Sequence, residues 1–443
     1  MTGTGRRATT VSDSAILRPG DDLYDEARQV WNAMVDHRPA LIVSCRDTDE
    51  VAAAVLLARR EGLEIGVRCG GHSVVGHAVP DGGLMIDLRP MRGVRVAPRR
   101  RRAWVGGGAP LAALDAATQP YGLATTAGNV SHTGVGGLTL GGGMGWLARQ
   151  HGLTCDNVVS FEMVTATGEV VRASADENPD LFWGLRGGGG NFGIVTEFEL
   201  RLHDTGTQTV VAELDFAVAD AGPAVARWRD LSATAPRRAT YAATVYGGIV
   251  TLGFVWVGDP DEGREHARLL DGLGTPLARR VDEMSYVDLQ RREDTVEGHA
   301  LRRYWKGHYL RDLPDAAVEA LLSHDPEVAA SIQAYGGAID DVPDDATAFA
   351  HRGTAFEYVA AGRWTDPDQD AERMTTARAS AARLAPYATG VYVNVLGDEG
   401  ADGVRRAYPP ATLARLTALK DAYDPENVFH RNANVPPSGA ASA

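Results

Sequence analysis

The chain is 443 residues long, 44% hydrophobic and 23% charged, a balance that supports two or three packed domains and excludes an extended disordered tract. Asp and Glu (58) outnumber Lys and Arg (44), and the formal charge of -14 argues against a nucleic acid or an anionic membrane as partner. No apolar stretch is long enough to cross a bilayer, the polar start MTGTGRRATTVSDS lacks the apolar run of a secretory signal, and the three scattered cysteines (Cys45, Cys69, Cys155) form no disulfide framework, so a cytoplasmic protein is expected.

In chain order, PALIVSCRDTDEVAAAVLLARREGLEIGVRCGG reads as strand, helix, strand: an apolar run at 41–43, a helix capped by Thr48 and stopped by Gly62, and a second strand at 65–67. Strands are expected at 84–88, 94–97 and 103–105, with the arginine run 99–102 as a solvated hairpin turn, and a helix at 110–118. From 128 to 145, GNVSHTGVGGLTLGGGMG is too glycine-rich for a helix or regular strand and suits close backbone approach to another group. Strands at 158–165 and 194–202 flank a helix, NPDLFWGLR, that runs into the glycines 187–190. Beyond about 205, strands such as YAATVYGG and IVTLGFVWVG alternate with amphipathic helices such as DPDEGREHARLLDGL, which predicts a second domain with an antiparallel sheet and helices on one face. GVYVNVLG reads as a strand, ATLARLTALKDAY as a helix closed by Pro425, and PSGAASA as a disordered end.

Several glycine motifs compete for a functional reading. Gly188, Gly190 and Gly193 satisfy GxGxxG, yet they follow a helix and open a strand, the reverse of a dinucleotide fingerprint. GHSVV approaches the nucleophile elbow of hydrolases, with Ser73 as nucleophile, but Val75 stands where the second glycine must admit a tight turn. Cys69, His72 and His77 lack further ligands at metal spacing, so no metal is expected. VRCGGHS suits a turn whose successive N–H groups hold a phosphate, with an ordinary tight turn as the plainer alternative.

Four stretches in series, VRCGGHSVVGH, GNVSHTGVGGLTLGGGMGWLARQHGLTCDNVV, GLRGGGGNFGIVTEFEL and YDPENVFHRNANVPP, resemble in order and spacing the berberine bridge enzyme-like FAD-linked oxidases of the vanillyl-alcohol oxidase superfamily. GGAID and TAFAHRGTAFEY match the family's substrate domain. The resemblance implies an α+β fold: a split FAD-binding domain from residues 1–204 and 390–443, with a substrate-binding domain, 205–389, inserted between the parts. It implies that His72 bonds to the 8α-methyl carbon of the flavin and Cys155, in LTCDNV, to carbon 6. Further implied contacts are Arg68, Cys69, Gly70, Gly71 and Ser73 along the pyrophosphate, Gly76 and His77 completing that turn, and His132, Thr133, Gly134, Gly136, Gly137, Gly142 and Gly143 passing the flavin. Gly193 and Val195 follow the adenine side, Asn432 and Asn434 close over the ring, and Val158 gates an oxygen pocket.

The implied activity is oxidation of a small organic molecule, such as a secondary metabolite, by loss of a hydride from a C–H beside oxygen or nitrogen, with dioxygen reduced to hydrogen peroxide. A non-redox isomerase or cyclase on an FAD scaffold is the rival. Tyr246, Tyr304, Trp305, His308, Tyr335 and Tyr358 point to an apolar or aromatic substrate. Both tethers act as nucleophiles, His72 as neutral imidazole and Cys155 as thiolate, and Asp156 opposes the thiolate unless its carboxylate is paired or turned away. Sugar- and alcohol-oxidising relatives often carry a base tyrosine at the end of YxNY, where this chain has Tyr392, Val393, Asn394 and Val395. Strand alternation turns Val393 and Val395 to the substrate, and Tyr392 and Asn394 to the flavin or tail. The base role passes to Tyr358, with His351, Arg352 or Lys306 as cationic neighbour, then to His308 and to Tyr392.

Overall fold

The computed structural model describes residue 12 and residues 15–294 and 300–439; most of the polar start and the last residues of the PSGAASA tail lie outside them. Within the described part of that tail, the Ser438 N–H donates to Asp421 at 2.7 Å. The first layer is a four-stranded sheet in the order Ile16–Leu17, Leu41–Ser44, Leu84–Asp87, Ile65–Arg68, whose last three strands are parallel. The helix Thr48–Glu61 buries Val51, Ala54, Val55 and Ala58 against it, the i, i+3, i+4, i+7 stripe of an amphipathic helix. Its cap is Asp47, not Thr48: the Asp47 carboxylate accepts the Glu50 N–H at 2.9 Å, and Gly62 ends the helix at φ 65°.

The second layer is antiparallel, ordered Val94–Ala97, Arg102–Gly106, Ile194–Arg201, Val158–Val164, Val170–Ser174, with the arginine run at a surface turn as expected. The glycine-rich tract corrects the expectation of an irregular segment, since Val135–Gly141 is α-helical. Its glycines are there for proximity: a Cβ on Gly136 would lie 3.1 Å from the Gly107 carbonyl oxygen, and one on Gly141 would lie 2.2 Å from Asn394 Oδ1. Close packing of backbone and side chain offsets the helix-propensity cost of glycine, about 1 kcal/mol each.

An eight-stranded antiparallel sheet follows, ordered Ala278–Ser285, Gln208–Ala217, Ile249–Val257, Ala239–Tyr246, Ala329–Ala334, Phe356–Trp364, Arg302–Leu310, Ala388–Gly390. The helices Gly222–Ala233, Asp315–Leu322 and Asp370–Ala382 cover one face, over a core that includes Trp228, Tyr241, Phe254, Phe356 and Tyr358. The other face meets the first domain: Thr240 Oγ1 donates to the Trp146 carbonyl at 3.0 Å and Asn129 Nδ2 donates to Gln333 Oε1 at 3.2 Å. GVYVNVLG leaves this sheet after Gly390 and forms the 3-10 turn Val393–Val395, and GGAI is also a 3-10 turn, Gly337–Ile339. The chain then returns to the first domain through the helices Gly400–Ala407 and Pro410–Tyr423, burying Leu416 and Leu419 with Phe161 and Phe198. No helix among the described residues is long and apolar enough to cross a membrane.

Candidate functional site

The site is assembled around three turns from distant parts of the chain. The first follows the parallel strand Ile65–Arg68, where Gly71 and Gly76 adopt φ near +71° and +72°. A Cβ on Gly70 would sit 2.3 Å from the Gly134 nitrogen, and one on Gly134 would sit 2.3 Å from Cys69 Sγ. The turn carrying His72 and the turn carrying His132 are therefore packed backbone to backbone. Cys69 Sγ lies 3.7 Å from the Ala109 carbonyl oxygen, and Ser73 Oγ accepts the His77 N–H at 3.5 Å. Arg68 sends its guanidinium to the Ala27 carbonyl, so its side chain braces the turn from behind; burial holds its pKa down, at about 10.

The His72 ring is stacked on Trp31, centroids 4.7 Å apart and 18° from parallel, and its Nε2 lies 2.7 Å from His132 Nδ1. Its Nδ1 lies 3.4 Å from Thr133 Oγ1. Burial, then the neighbouring His132 and Arg303, holds its pKa near 3, so the ring is a neutral imidazole with a lone pair to offer. Neither His72 nor Ser73 has the partners of a serine hydrolase, and among the described residues no group of three His, Cys, Asp or Glu side chains is arranged to hold a metal ion.

The second turn follows the helix Val135–Gly141. Gly142 and Gly143 adopt φ +130° and +89°, and their carbonyls accept the N–H groups of Cys155 (2.8 Å) and Thr154 (2.9 Å). Cys155 is fully buried beside Met144, Leu153, Tyr309, Tyr335, Phe349, Tyr392 and Val395. Burial, then Asp156, pushes its thiol pKa well above the ordinary range, against the pull of Arg352 and Arg186. Asp156 is paired: both its oxygens accept from Arg352 at 2.7 Å, and Oδ2 also accepts the Leu153 N–H at 2.9 Å.

The third turn joins Gly187–Gly190 to the C-terminal tail. Asn432 Nδ2 donates to the Gly190 carbonyl at 3.1 Å, Asn191 Nδ2 donates to the Ala433 carbonyl at 3.3 Å, and Arg431 donates to the carbonyls of Gly76, His77 and Val79. Gly193 packs against Met163 and the Val164 carbonyl, Val195 pairs with Met163, and Val158 is buried opposite Leu200.

The base candidates separate by face. Tyr358 lies in the helix-covered core, fully buried, with its hydroxyl unpartnered among the described residues and its pKa raised above 10 by burial. His308, beside it, donates through Nε2 to the Ala381 carbonyl of the covering helix (3.0 Å) and accepts at Nδ1 from Arg406 (2.8 Å), and burial holds it near 4. Both expectations fail for one reason: the even positions of these strands face the helices. Tyr304 is in the same core, and Tyr246 is exposed at the surface. The odd row, Tyr309–Glu357–Gln333 in register, faces the first domain. Tyr335 donates to Glu357 Oε2 at 2.7 Å, and burial raises the Glu357 pKa to about 7. Tyr392 precedes a 3-10 turn rather than lying on a strand, and it shares the Cys155 cluster with Val395: its hydroxyl accepts from the Gly143 N–H (2.8 Å) and Asn394 Nδ2 (2.9 Å). Period-two alternation in FEYVAAG puts Glu357 on the face opposite Tyr358, but only the packing of the sheet shows which of the two faces meets the first domain.

These residues fit FAD. Gly137 and Gly190 have open space around their α-carbons, while His132 Nε2, Asn432 Oδ1 and Asn434 Oδ1 are buried polar atoms with no partner among the described residues. A model described as an FAD-binding domain matches residues 39–174, and one described as berberine and berberine-like matches 391–436. (R)-6-hydroxynicotine oxidase of Paenarthrobacter nicotinovorans is 30% identical, over 99% of this chain and 100% of that one. An FAD-linked oxidoreductase of Dictyostelium discoideum is 28% identical over 96% of this chain and 95% of its own. The solved 6-hydroxy-D-nicotine oxidase of Arthrobacter nicotinovorans superposes with TM-score 0.88 at 28% identity, covering 97% and 99% of the two chains. Glucooligosaccharide oxidase of Acremonium strictum, described with a 6-S-cysteinyl, 8α-N1-histidyl FAD, shares the fold at TM-score 0.87 and 24% identity, over 95% and 97%. With its fold, its split cofactor cradle and a relative matched from end to end, this chain belongs to the berberine bridge enzyme-like family and is an FAD-dependent oxidoreductase.

Proposed function

We propose that the protein is an oxidase with FAD attached at both His72 and Cys155, oxidising a small organic molecule at a C–H beside oxygen or nitrogen and passing the electrons to dioxygen. The observation that carries this reading is the pairing of two nucleophilic side chains with glycine turns that meet on one cradle: His72 on the turn packed against Gly134, and Cys155 hydrogen-bonded through its N–H to Gly142, in the turn that ends the same short helix. Bound FAD supplies the two-electron acceptor. The chain's own part is to hold His72 neutral and oriented, to keep Asp156 occupied by Arg352, and to shield the Cys155 side with Tyr309, Tyr335, Phe349 and Tyr392. Glu357, with no cationic partner among the described residues, is the proton acceptor for the substrate's hydroxyl or amine. The expected division of the chain into 1–204, 205–389 and 390–443 suits this role, with the inserted domain contributing Glu357 and the outer parts contributing the cradle.

The tethers are read out by denaturation. His72→Ala retains flavin through Cys155, Cys155→Ala retains it through His72, and the double variant releases it; a single variant that releases all its flavin refutes bicovalent attachment. Steady hydrogen peroxide formation with a turned-over substrate separates an oxidase from an isomerase or cyclase. The role of Val158 as gate for dioxygen is tested by Val158→Leu, in which reoxidation of reduced enzyme slows while reduction by substrate stays near the parent rate.

A further inference from the structure

The contact between His72 and His132 does more than fill space. The His72 ring is held on two sides: flat against Trp31, whose own ring lies 3.9 Å beneath the guanidinium carbon of Arg303, and edge-on by His132, Nε2 to Nδ1 at 2.7 Å. His132 is itself fixed by its neighbour, since the N–H and hydroxyl of Ser131 donate to the two oxygens of Asp294 at 2.8 and 2.7 Å. In a ring so held Nε2 makes the short contact, while Nδ1 has only the 3.4 Å contact with the rotatable Thr133 hydroxyl, which leaves Nδ1 as the nitrogen that can attack.

We propose that His132 positions His72 and accepts its proton when FAD is attached there. This deepens, and rests on, the tether at His72. The tautomer that makes Nδ1 nucleophilic carries its hydrogen on Nε2, which donates to His132 Nδ1. Attack by Nδ1 on the methyl carbon forms one C–N bond and would leave a cationic imidazole in a buried site beside Arg303, where a second positive charge is costly. Transfer of the Nε2 proton to His132 removes that charge. In the balance, the methyl group loses one hydrogen and His72 loses the other; the two electrons left on the flavin, with two protons, reduce dioxygen to hydrogen peroxide. Burial lowers the pKa of His132, with Asp294 opposing and Arg303 adding to the shift, so half-buried His132 passes the proton on to solvent or oxygen rather than keeping it.

The test uses full-length protein with Cys155→Ala, so that all covalent flavin reports on His72, produced under riboflavin limitation and then mixed with FAD. The readout is the fraction of bound flavin that stays with the protein after denaturation, followed over time. His132→Asn, whose side chain keeps a hydrogen-bonding group but has no basic nitrogen, is expected to bind FAD and attach it about a hundredfold more slowly, the scale of a lost general base. His132→Ala is expected to be slow in the same way and to be accelerated by added imidazole, a rescue that a merely structural role would not give. Attachment at the parent rate in His132→Asn, or no acceleration of His132→Ala by imidazole, overturns the proton-accepting role. Release of all flavin by the Cys155→Ala parent refutes instead the tether on which the inference rests.

Discussion

At the scale of single residues, Glu357 and Tyr358 are adjacent in sequence and opposite in consequence. The glutamate needs to be ionised to accept a proton, and its pKa is raised to about 7. Anaerobic flavin reduction should therefore rise with pH through about 7 and level off above it, the sign expected when the deprotonated form is active. Glu357→Gln should slow that step by about a hundredfold and flatten the profile; an unchanged rate would remove Glu357 from the chemistry. Tyr358→Phe deletes a buried hydroxyl that has no partner among the described residues. Its reduction rate should match the parent, and its stability in chemical denaturation should be unchanged or higher by up to about 1 kcal/mol. The Asp156–Arg352 pair eases the local conflict that sequence alone poses at Cys155, though Asp156 still raises the thiol: the carboxylate is paired with an arginine almost two hundred positions away. No local pattern announces such a partner.

At the scale of elements, hydrophobic period located most strands of the first domain and the type of the second, because burial of one face dictates it. Val158–Val164, Pro179–Leu185, Ile194–Arg201, Ala239–Tyr246, Ile249–Val257 and Pro260–Ala267 lie where their apolar patterns put them. The readings that failed are those in which local composition was overruled by tertiary contact. The helix Val135–Gly141 has poor intrinsic propensity and persists because its glycines let Cys69, Gly107 and Asn394 come close. GVYVNVLG alternates like a strand, but past Gly390 it turns to give the Tyr392 hydroxyl to the Gly143 N–H and so forms a 3-10 turn. The glycine and histidine turns were legible as a cradle through the family's motifs; the side of the inserted sheet that faces it was assigned to the row of Tyr358 and His308, which instead faces the covering helices. Gly143 tests the connection between element and site. A Cβ there would lie 2.3 Å from Thr154 Oγ1 on a backbone at φ +89°. Gly143→Ala should cost stability, by about 1–3 kcal/mol, and in a His72→Ala background should lose flavin attachment through Cys155, read as flavin released on denaturation. Retained flavin would show that this turn does not set the position of the thiol.

At the scale of the whole molecule, the C-terminal tail is bound back into the first domain. Lys420 and Asp424 form a fully buried ion pair at 2.7 Å, and Lys420 also donates to the carbonyls of Asn191 and Phe429. From that anchor the tail runs to Arg431, which grips the carbonyls of Gly76, His77 and Val79 and pairs with Glu64 at 2.9 Å. A chain ended at 428 would keep its sheets but lack Arg431, Asn432 and Asn434. It should purify without visible flavin absorbance, whereas flavin of normal yield would make the tail dispensable for the cradle. The grip of Arg431 on His77 spans 354 positions. At synthesis rates of about 5–20 residues per second, the His72 turn waits roughly 20 to 70 s on the ribosome before its last support is made. Cofactor loading is thus an event of the finished chain: nascent chains stalled before the tail emerges should carry no flavin, and cellular FAD supply would act on released protein rather than on its synthesis.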